Sequence, residues 1–365
     1  MKSEKGRSRK KWYLSIINYG LNGQTSNFLR LVRRLKSQER LSGFDEGPGE
    51  GGYLRWVKTL REKAGQGLAI QIHVPGAAWM LPFVPFFHRF PNVEFFLEGH
   101  LIEPEPDTWS HVWKFPLFFL PRLLLNRTFW VSVLVFLGIC PRVMVASFHQ
   151  QAELIDIGYP CGRISRLPTC PPEEHAGHEC PGRPTSPSVL GYIGHGTPVK
   201  GLEIFSESLK SLEIRALPWR LKVAIGLEGR GRIQALLQTL KETHGDRVEI
   251  LDRVDSWTFL KNIDLLVLPY IVDFGTMVYP VTLVDAMHAG AIPLIADFPV
   301  LCEPLAGMKA PLFFPAGDVK QLEKTISRWV LMEAGQRQAW AQVLMKRARR
   351  LWGTAWEKRL ERLFA

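Results

Sequence analysis

From Ser188 onward the sequence repeats one rhythm: a short apolar run, a glycine or polar turn, then a segment with helical spacing. "SVLGYIG", "LKVAIGLEG", "RVEILDRV", "DLLVLPY" and "AIPLIAD" read as strands. Between and after them "GLEIFSESLKSL", "RIQALLQTLKETHG", "SWTFLKNI", "TLVDAMHAG" and "GDVKQLEKTISRWVLME" read as helices. Strands that alternate with helices build a parallel sheet covered on both faces, and open sheets of this kind bind ligands beyond the carboxyl ends of their strands.

The first half carries the same signal more weakly. "WYLSIINYG" is a strand, "GLNGQTSN" a glycine turn and "FLRLVRRLKSQERL" a helix; "LAIQIHV", "VEFFLEG" and "RVMVASF" are further strands bounded by Gly, Pro or a charge. With 365 residues, 46% of them hydrophobic, the chain is long enough for two domains with separate cores. The expected fold class is α/β, with two doubly wound Rossmann-like domains facing a central cleft. The expected boundaries are 1–167 for an acceptor-side domain, 168–187 for a linker, 188–350 for a nucleotide-binding domain and 351–365 for a closing helix. The linker follows from "LPTCPPEEHAGHECPGRPTSPS", dense in Pro, Gly and polar residues. Cys161, Cys170, His175, His178 and Cys180 cluster around it, but their spacing fits no paired zinc pattern, so no metal is expected.

The formal charge of +11 is unevenly placed. Residues 1–40 hold eleven Lys/Arg against Glu4 and Glu39, and residues 346–365 hold seven against Glu357 and Glu361, so the remainder carries about −3. Basic ends around a near-neutral middle argue against a nucleic-acid channel and for an anionic membrane surface as partner. In the first helix Phe28, Leu31, Val32 and Leu35 share a face, while Arg30, Arg33, Arg34 and Lys36 point elsewhere, giving a basic side. Five cysteines are an odd number for a disulfide framework, and the N-terminus lacks a cleavable apolar leader. "FWVSVLVFLGIC" is shorter than the roughly 20 residues that cross a bilayer. The expected location is cytoplasmic, peripheral on the cytoplasmic membrane face.

The chemistry centres on "GYIGHGTPVKG", Gly191 to Gly201. A glycine turn after a strand brings backbone N–H groups close to an anion, and Lys200 adds a charge suited to phosphate. Downstream, a helix starts near Val281 or Thr282 with Asp285 in its first turn. Free N–H groups at such a start attract a diphosphate, and a carboxylate there can accept from ribose hydroxyls or simply complement the helix dipole.

These residues resemble a known family. Gly194, His195, Lys200 and Gly201, then "IDLLVLPY", then Asp285, Ala286, Met287, Ala289, Gly290 and Pro293 are similar to the motifs of the retaining glycosyl transferases group 1 family, of GT-B fold. "FFPAGDVKQLEKTI" and the closing "LWGTAWEKRLERLF" resemble its later segments, and the first half is matched more loosely through "GLNGQTSN" and "RVMVASFHQQAELIDIGYPCGRISRLP". The resemblance implies a sugar moved from a nucleoside diphosphate-sugar donor to a hydroxyl acceptor, in lipid-linked glycan or surface polysaccharide synthesis. The sugar nucleotide is then a co-substrate, and neither cofactor nor metal is needed. It implies donor contacts from Gly194, His195, Lys200, Thr282, Asp285 and Gly23, and catalytic parts for Lys200 and His100. His73, Glu98, Trp79, Phe83, Phe86 and Phe87 are weaker acceptor-side candidates. Two departures stand out: His195 replaces the usual arginine, and Met277 falls where the first glutamate of the acidic pair belongs. They motivate an alternative, a GT-B-like protein that binds nucleotide or glycan without catalysis.

Overall fold

The computed structural model describes residues 11–364 apart from 16–26, 39–40, 47–51, 67, 75–76, 84–92, 98–108, 110–112, 115, 118–119, 121–123, 125–126, 173–186, 227–229, 253, 274–278 and 309–310. Two compact units emerge: Met1–Glu173 with Phe274–Val281 and Thr354–Ala365, and Glu174–Asp273 with Thr282–Gly353.

In the first unit, β1 (Lys11–Ser15), β2 (Leu41–Glu46), β3 (Ala69–Val74), β4 (Val93–Leu97), β5 (Arg142–Val145) and β6 (Ile164–Arg166) form one sheet. Its order is β2-β1-β3-β4-β5-β6, with every pairing parallel. The connections carry α1 (Asn27–Ser37), α2 (Gly52–Gly65), α3 (Thr128–Phe136) and α4 (Phe148–Asp156). Alternation along the strands fixes the core. Ile70, Ile72 and Val74, Phe95 and Leu97, and Val143 and Val145 pack with Phe83, Val131 and Leu134 in one cluster. The intervening Gln71 and His73 are also buried, with His73 stacked on Phe96 at 4.7 Å. Thus His73, a weak acceptor-side candidate from sequence, lies inside the sheet packing. Phe83 is core as well, whereas Trp79 is 37% exposed; Phe86, Phe87 and Glu98 lie outside the described residues.

Helix α1 buries Leu31, Val32 and Leu35 as its periodicity predicts, but its basic side is smaller than the sequence implies. Arg30 is buried, and Arg34 forms an ion pair with Glu357. Only Arg33 and Lys36 of the four cations are fully exposed. Side-chain length is the reason: an arginine flanking an apolar stripe can lay its stem along the core and reach a carboxylate on the neighbouring element.

In the second unit, β7 (Ser188–Gly194), β8 (Trp219–Ile225), β9 (Val248–Leu251), β10 (Leu265–Leu268), β11 (Ile292–Ala296) and β12 (Phe313–Phe314) form a parallel sheet of order β12-β11-β10-β7-β8-β9. The five strands expected from sequence are all present, and the two-residue β12 is added at the edge. Helices α5 (Leu202–Ser208), α6 (Leu212–Ala216), α7 (Arg230–His244), α8 (Ser256–Lys261), α9 (Val281–Ala289), α10 (Pro299–Cys302), α11 (Val319–Leu331) and α12 (Ala334–Trp352) connect and cover it. The last helix, α13 (Thr354–Phe364), belongs to the first unit, where Trp356 is buried and donates its indole N–H to the carbonyl of Pro168 at 2.9 Å.

Register around the second sheet's centre is set by Asp264. Its carboxylate accepts from the backbone N–H of Val189 at 2.8 Å, its own N–H donates to the Val189 carbonyl at 2.8 Å, and its carbonyl accepts from Ile292 at 2.9 Å. One residue therefore aligns β10 with β7 and β11. Arg337 plays the matching part among the helices. Buried on α12, it donates to the carbonyls of Trp329 and Val330 at 3.2 Å each and to Met332, satisfying the open C-terminal end of α11. Burial lowers its pKa, and the nearby Asp264 charge works against that shift.

Candidate functional site

Strand order locates the site before any side chain is considered. With β7 flanked by β8 on one side and β10 on the other, the chain winds outward in opposite directions from this pair. The connections leaving the carboxyl ends of β7 and β10 diverge there and leave backbone exposed between them. Leaving β7 is Gly194-His195-Gly196-Thr197, followed by a single tight turn over Pro198–Lys200. Leaving β10 are Pro269 and Tyr270.

These two connections are locked together. The N–H of Ile271 donates to the carbonyl of Val199 at 3.2 Å. Gly201 closes the turn with φ +63°, and a Cβ built on it would lie 1.7 Å from the Pro269 carbonyl oxygen. Backbone thus passes over backbone where no side chain fits. Lys200 is presented by this crossing. Its ammonium donates to the Tyr270 hydroxyl at 2.6 Å and sits 4.0 Å from the centroid of the same ring. Beneath it, Tyr192 is fully buried, its hydroxyl at 3.5 Å from the Lys200 carbonyl. Burial pushes the Tyr192 phenol well up, with the neighbouring Tyr270 and then Glu203 adding to the rise, so it stays neutral beside the lysine.

Two basic side chains straddle the end of β7. Lys200 lies toward β10, whereas His195 lies toward β8: a Cβ on Gly226, which follows β8, would stand 3.2 Å from the His195 Nδ1. Gly226 also donates its N–H to the Gly194 carbonyl at 3.1 Å, which holds the turn down on that side. At Gly194 itself there is room, since the nearest groups to an added Cβ are the Tyr192 hydroxyl at 3.9 Å and the Lys200 Cγ at 4.0 Å.

Gly194, His195 and Lys200 therefore come together as the sequence predicts. Thr282 and Asp285 share α9, the helix following β10. Thr282 is its second residue and half-buried. Asp285 differs from its expected placement in the first turn: it is the fifth helical residue and only 1% exposed, with Leu283, Val284, Ala286 and Met287 buried around it. At five residues past the start it faces inward, so it is closed to a ribose in this structure. Gly23, His100 and Met277 lie outside the described residues, as do His175, His178 and Cys180. Of the described cysteines, Cys161 is exposed and Cys170 buried, both as free thiols. Tyr270 is the residue sequence reasoning missed. The signal was the bulky aromatic ending "IDLLVLPY", where the resembled family ends its strand in serine.

Comparison with known proteins agrees with this geometry. Residues 177–346 match the family model described as glycosyl transferases group 1. No curated protein matches the sequence. Among solved structures, HepE from Anabaena in complex with UDP and glucose has a TM-score of 0.65 at 14% identity, covering 97% of this chain and 99% of that one. WaaG, a glycosyltransferase involved in lipopolysaccharide biosynthesis, has a TM-score of 0.59 at 14% identity, covering 94% and 95%. A UDP-forming α,α-trehalose-phosphate synthase from Burkholderia xenovorans has a TM-score of 0.62 at 12% identity, covering 97% and 98%.

Proposed function

We propose that this chain, a GT-B protein placed in the glycosyl transferases group 1 family by residues 177–346, transfers a sugar from a nucleoside diphosphate carrier to a hydroxyl acceptor. The observation that carries the proposal is the Lys200 ammonium, held 2.6 Å from the Tyr270 hydroxyl at the carboxyl edge where β7 and β10 part. When the bond between the anomeric carbon and the diphosphate breaks, negative charge grows on the departing group, and a fixed cation there lowers the barrier. The acceptor oxygen takes the leaving group's place, on the same face of the sugar, and loses its proton. His195 and Thr282 are assigned to the diphosphate with the open N–H groups at Gly194 and the start of α9. With that many neutralising groups, the proposal needs no metal.

Uridine diphosphate is the carrier we favour, because HepE is described with UDP and UDP-glucose and the synthase as UDP-forming. The acceptor is assigned to lipid-linked glycan or surface polysaccharide, at the cytoplasmic membrane face. His195 in place of arginine favours a second reading, donor binding without transfer, since a histidine carries its charge only where its surroundings sustain it.

The test is thermal stabilisation by UDP, GDP, ADP, CMP and their sugar conjugates. At about 100 times its dissociation constant, a ligand adds roughly 2.7 kcal/mol to apparent stability. We expect UDP and a UDP-sugar to raise Tm, and EDTA to leave turnover unchanged. Stabilisation without turnover across acceptors selects the second reading, and no shift with any nucleotide ends both. Gly194→Ala sharpens the result. Because the added methyl meets only ordinary contacts, the unliganded Tm should stay within about 2 °C of the parent. UDP binding should nevertheless weaken about ten-fold where diphosphate must approach that backbone. Equal UDP affinity in the two proteins would move the donor away from this turn.

A further inference from the structure

We infer that the first unit seats on a lipid bilayer through the outward face of α3 and the chain leading into it. Helix α3, "TFWVSVLVF", carries no charge, and Thr128 and Ser132 are its only polar residues. It packs Val131 and Leu134 into the core, with Trp130 and Val135 partly buried against the same cluster. At 3.6 residues per turn, the opposite stripe is Phe129, Ser132, Val133 and Phe136. A helix on a water-facing surface places charges on that stripe. Here Phe129 is 54% and Phe136 89% exposed, and Leu137 beyond the helix end is exposed too.

The approach to the helix has the same character. Trp113 is 68% and Leu117 95% exposed, and Trp113 stacks with Trp109 at 6.1 Å between ring centroids. Leu124, also exposed, is tied to the helix start by the Trp130 indole N–H, which donates to its carbonyl at 2.5 Å. This concentration of exposed apolar side chains requires an occupant.

Charge decides which occupant. From Thr108 to Ala152 there is no Asp or Glu, while Lys114, Arg122, Arg127 and Arg142 are present, in a chain whose middle is otherwise net acidic. A protein partner is met through a rim of mixed polar groups. Tryptophans and cations around an apolar stripe, without acids, instead match the headgroup region of an anionic leaflet. Nine residues are too short to cross, so α3 lies along the interface with its outer stripe among the acyl chains. No helix among the described residues is long and apolar enough to span a membrane. This surface differs from the basic termini that first pointed to lipid, and its attraction is largely apolar. The inference rests on the lipid-linked acceptor reading for its purpose only, so vesicle binding and nucleotide binding fail separately.

The experiment is co-sedimentation of the full chain with vesicles of phosphatidylcholine alone and of phosphatidylcholine with phosphatidylglycerol. We expect binding to the anionic vesicles, a substantial part of which persists at about 1 M salt, where the Debye length is roughly 3 Å. Phe129→Ser/Phe136→Ser should lower partitioning about ten-fold or more with an unchanged Tm, as both side chains point away from the core. Ser132→Asp, which touches no core residue, should weaken binding to anionic vesicles in the same sense. Complete release by salt with all variants equal to the parent would assign membrane contact to the termini and overturn the inference. Absence of vesicle binding, with self-association that the double variant abolishes, would give the face to a second copy and overturn it equally.

Discussion

Gly201→Ala is expected to destabilise the chain by about 4 kcal/mol or more, among the largest effects a single methyl can have. Two costs combine. An L-residue at φ +63° loses roughly 1–2 kcal/mol on backbone sterics alone. The added Cβ would also stand 1.7 Å from the Pro269 carbonyl oxygen, and backbone on both sides leaves no flexible side chain to yield. Gly245→Ala and Gly317→Ala are the controls. Both sites have positive φ, +55° and +75°, but nothing lies within 4 Å of the built Cβ. Denaturant unfolding of the three variants should therefore rank Gly201 far above the other two, which should lose only the conformational part. Equal losses at all three would mean that the crossing of the β7 and β10 connections is loose in solution. A second consequence follows from position: Gly201 adjoins Lys200, so a folded remnant of Gly201→Ala should also bind nucleotide poorly.

How much of this crossing was legible in the sequence depends on the range of the interactions involved. The strand-turn-helix rhythm is local, set by apolar runs and their punctuation, so the second sheet's five longer strands could be read directly. Gly194, Lys200 and Gly201 were also readable, because a glycine turn with a following lysine lies within one short segment. Strand order was not, since nothing in "SVLGYIG" or "DLLVLPY" states that they pair; Asp264, bridging residues 75 positions apart, does that work only after folding. The same limit hid Tyr270, whose role exists because β10 lies beside β7. Asp285 failed for a different reason. Its distance from the helix start was judged from an uncertain boundary, and a shift of one residue turns a helical side chain by about 100°, enough to exchange a ligand-facing position for a buried one. The basic side of α1 erred through partners: Arg34 meets Glu357, 323 positions away, a pairing invisible to any local window.

Lys200→Ala is expected to lower kcat about 10²- to 10³-fold, the range seen when one fixed group stabilising developing charge is removed. Stability should change little, since the lysine is half-buried on a connection and only its ammonium contact to Tyr270 and its stem packing are lost. The comparison that gives this result meaning is Tyr270→Phe. That substitution keeps the ring 4.0 Å from the ammonium, and with it a cation–π attraction of roughly 0.5–1 kcal/mol, but removes the hydroxyl that fixes the lysine's direction. Its expected effect is therefore smaller, about ten-fold in kcat, in keeping with a charged hydrogen bond of about 1.5 kcal/mol that orients rather than reacts. Tyr192 cannot substitute as the partner, because its buried hydroxyl lies 3.5 Å from the Lys200 carbonyl and not at the ammonium. If both variants lose activity in proportion to a fall in Tm, Lys200 and Tyr270 are structural and the transfer chemistry lies elsewhere. If Lys200→Ala turns over within about two-fold of the parent, less than 0.5 kcal/mol of transition-state stabilisation is lost, and the proposed role for its charge is wrong. A large loss for Lys200→Ala, a moderate one for Tyr270→Phe and equal Tm values would together identify a cation that acts on the departing diphosphate and a phenol that aims it.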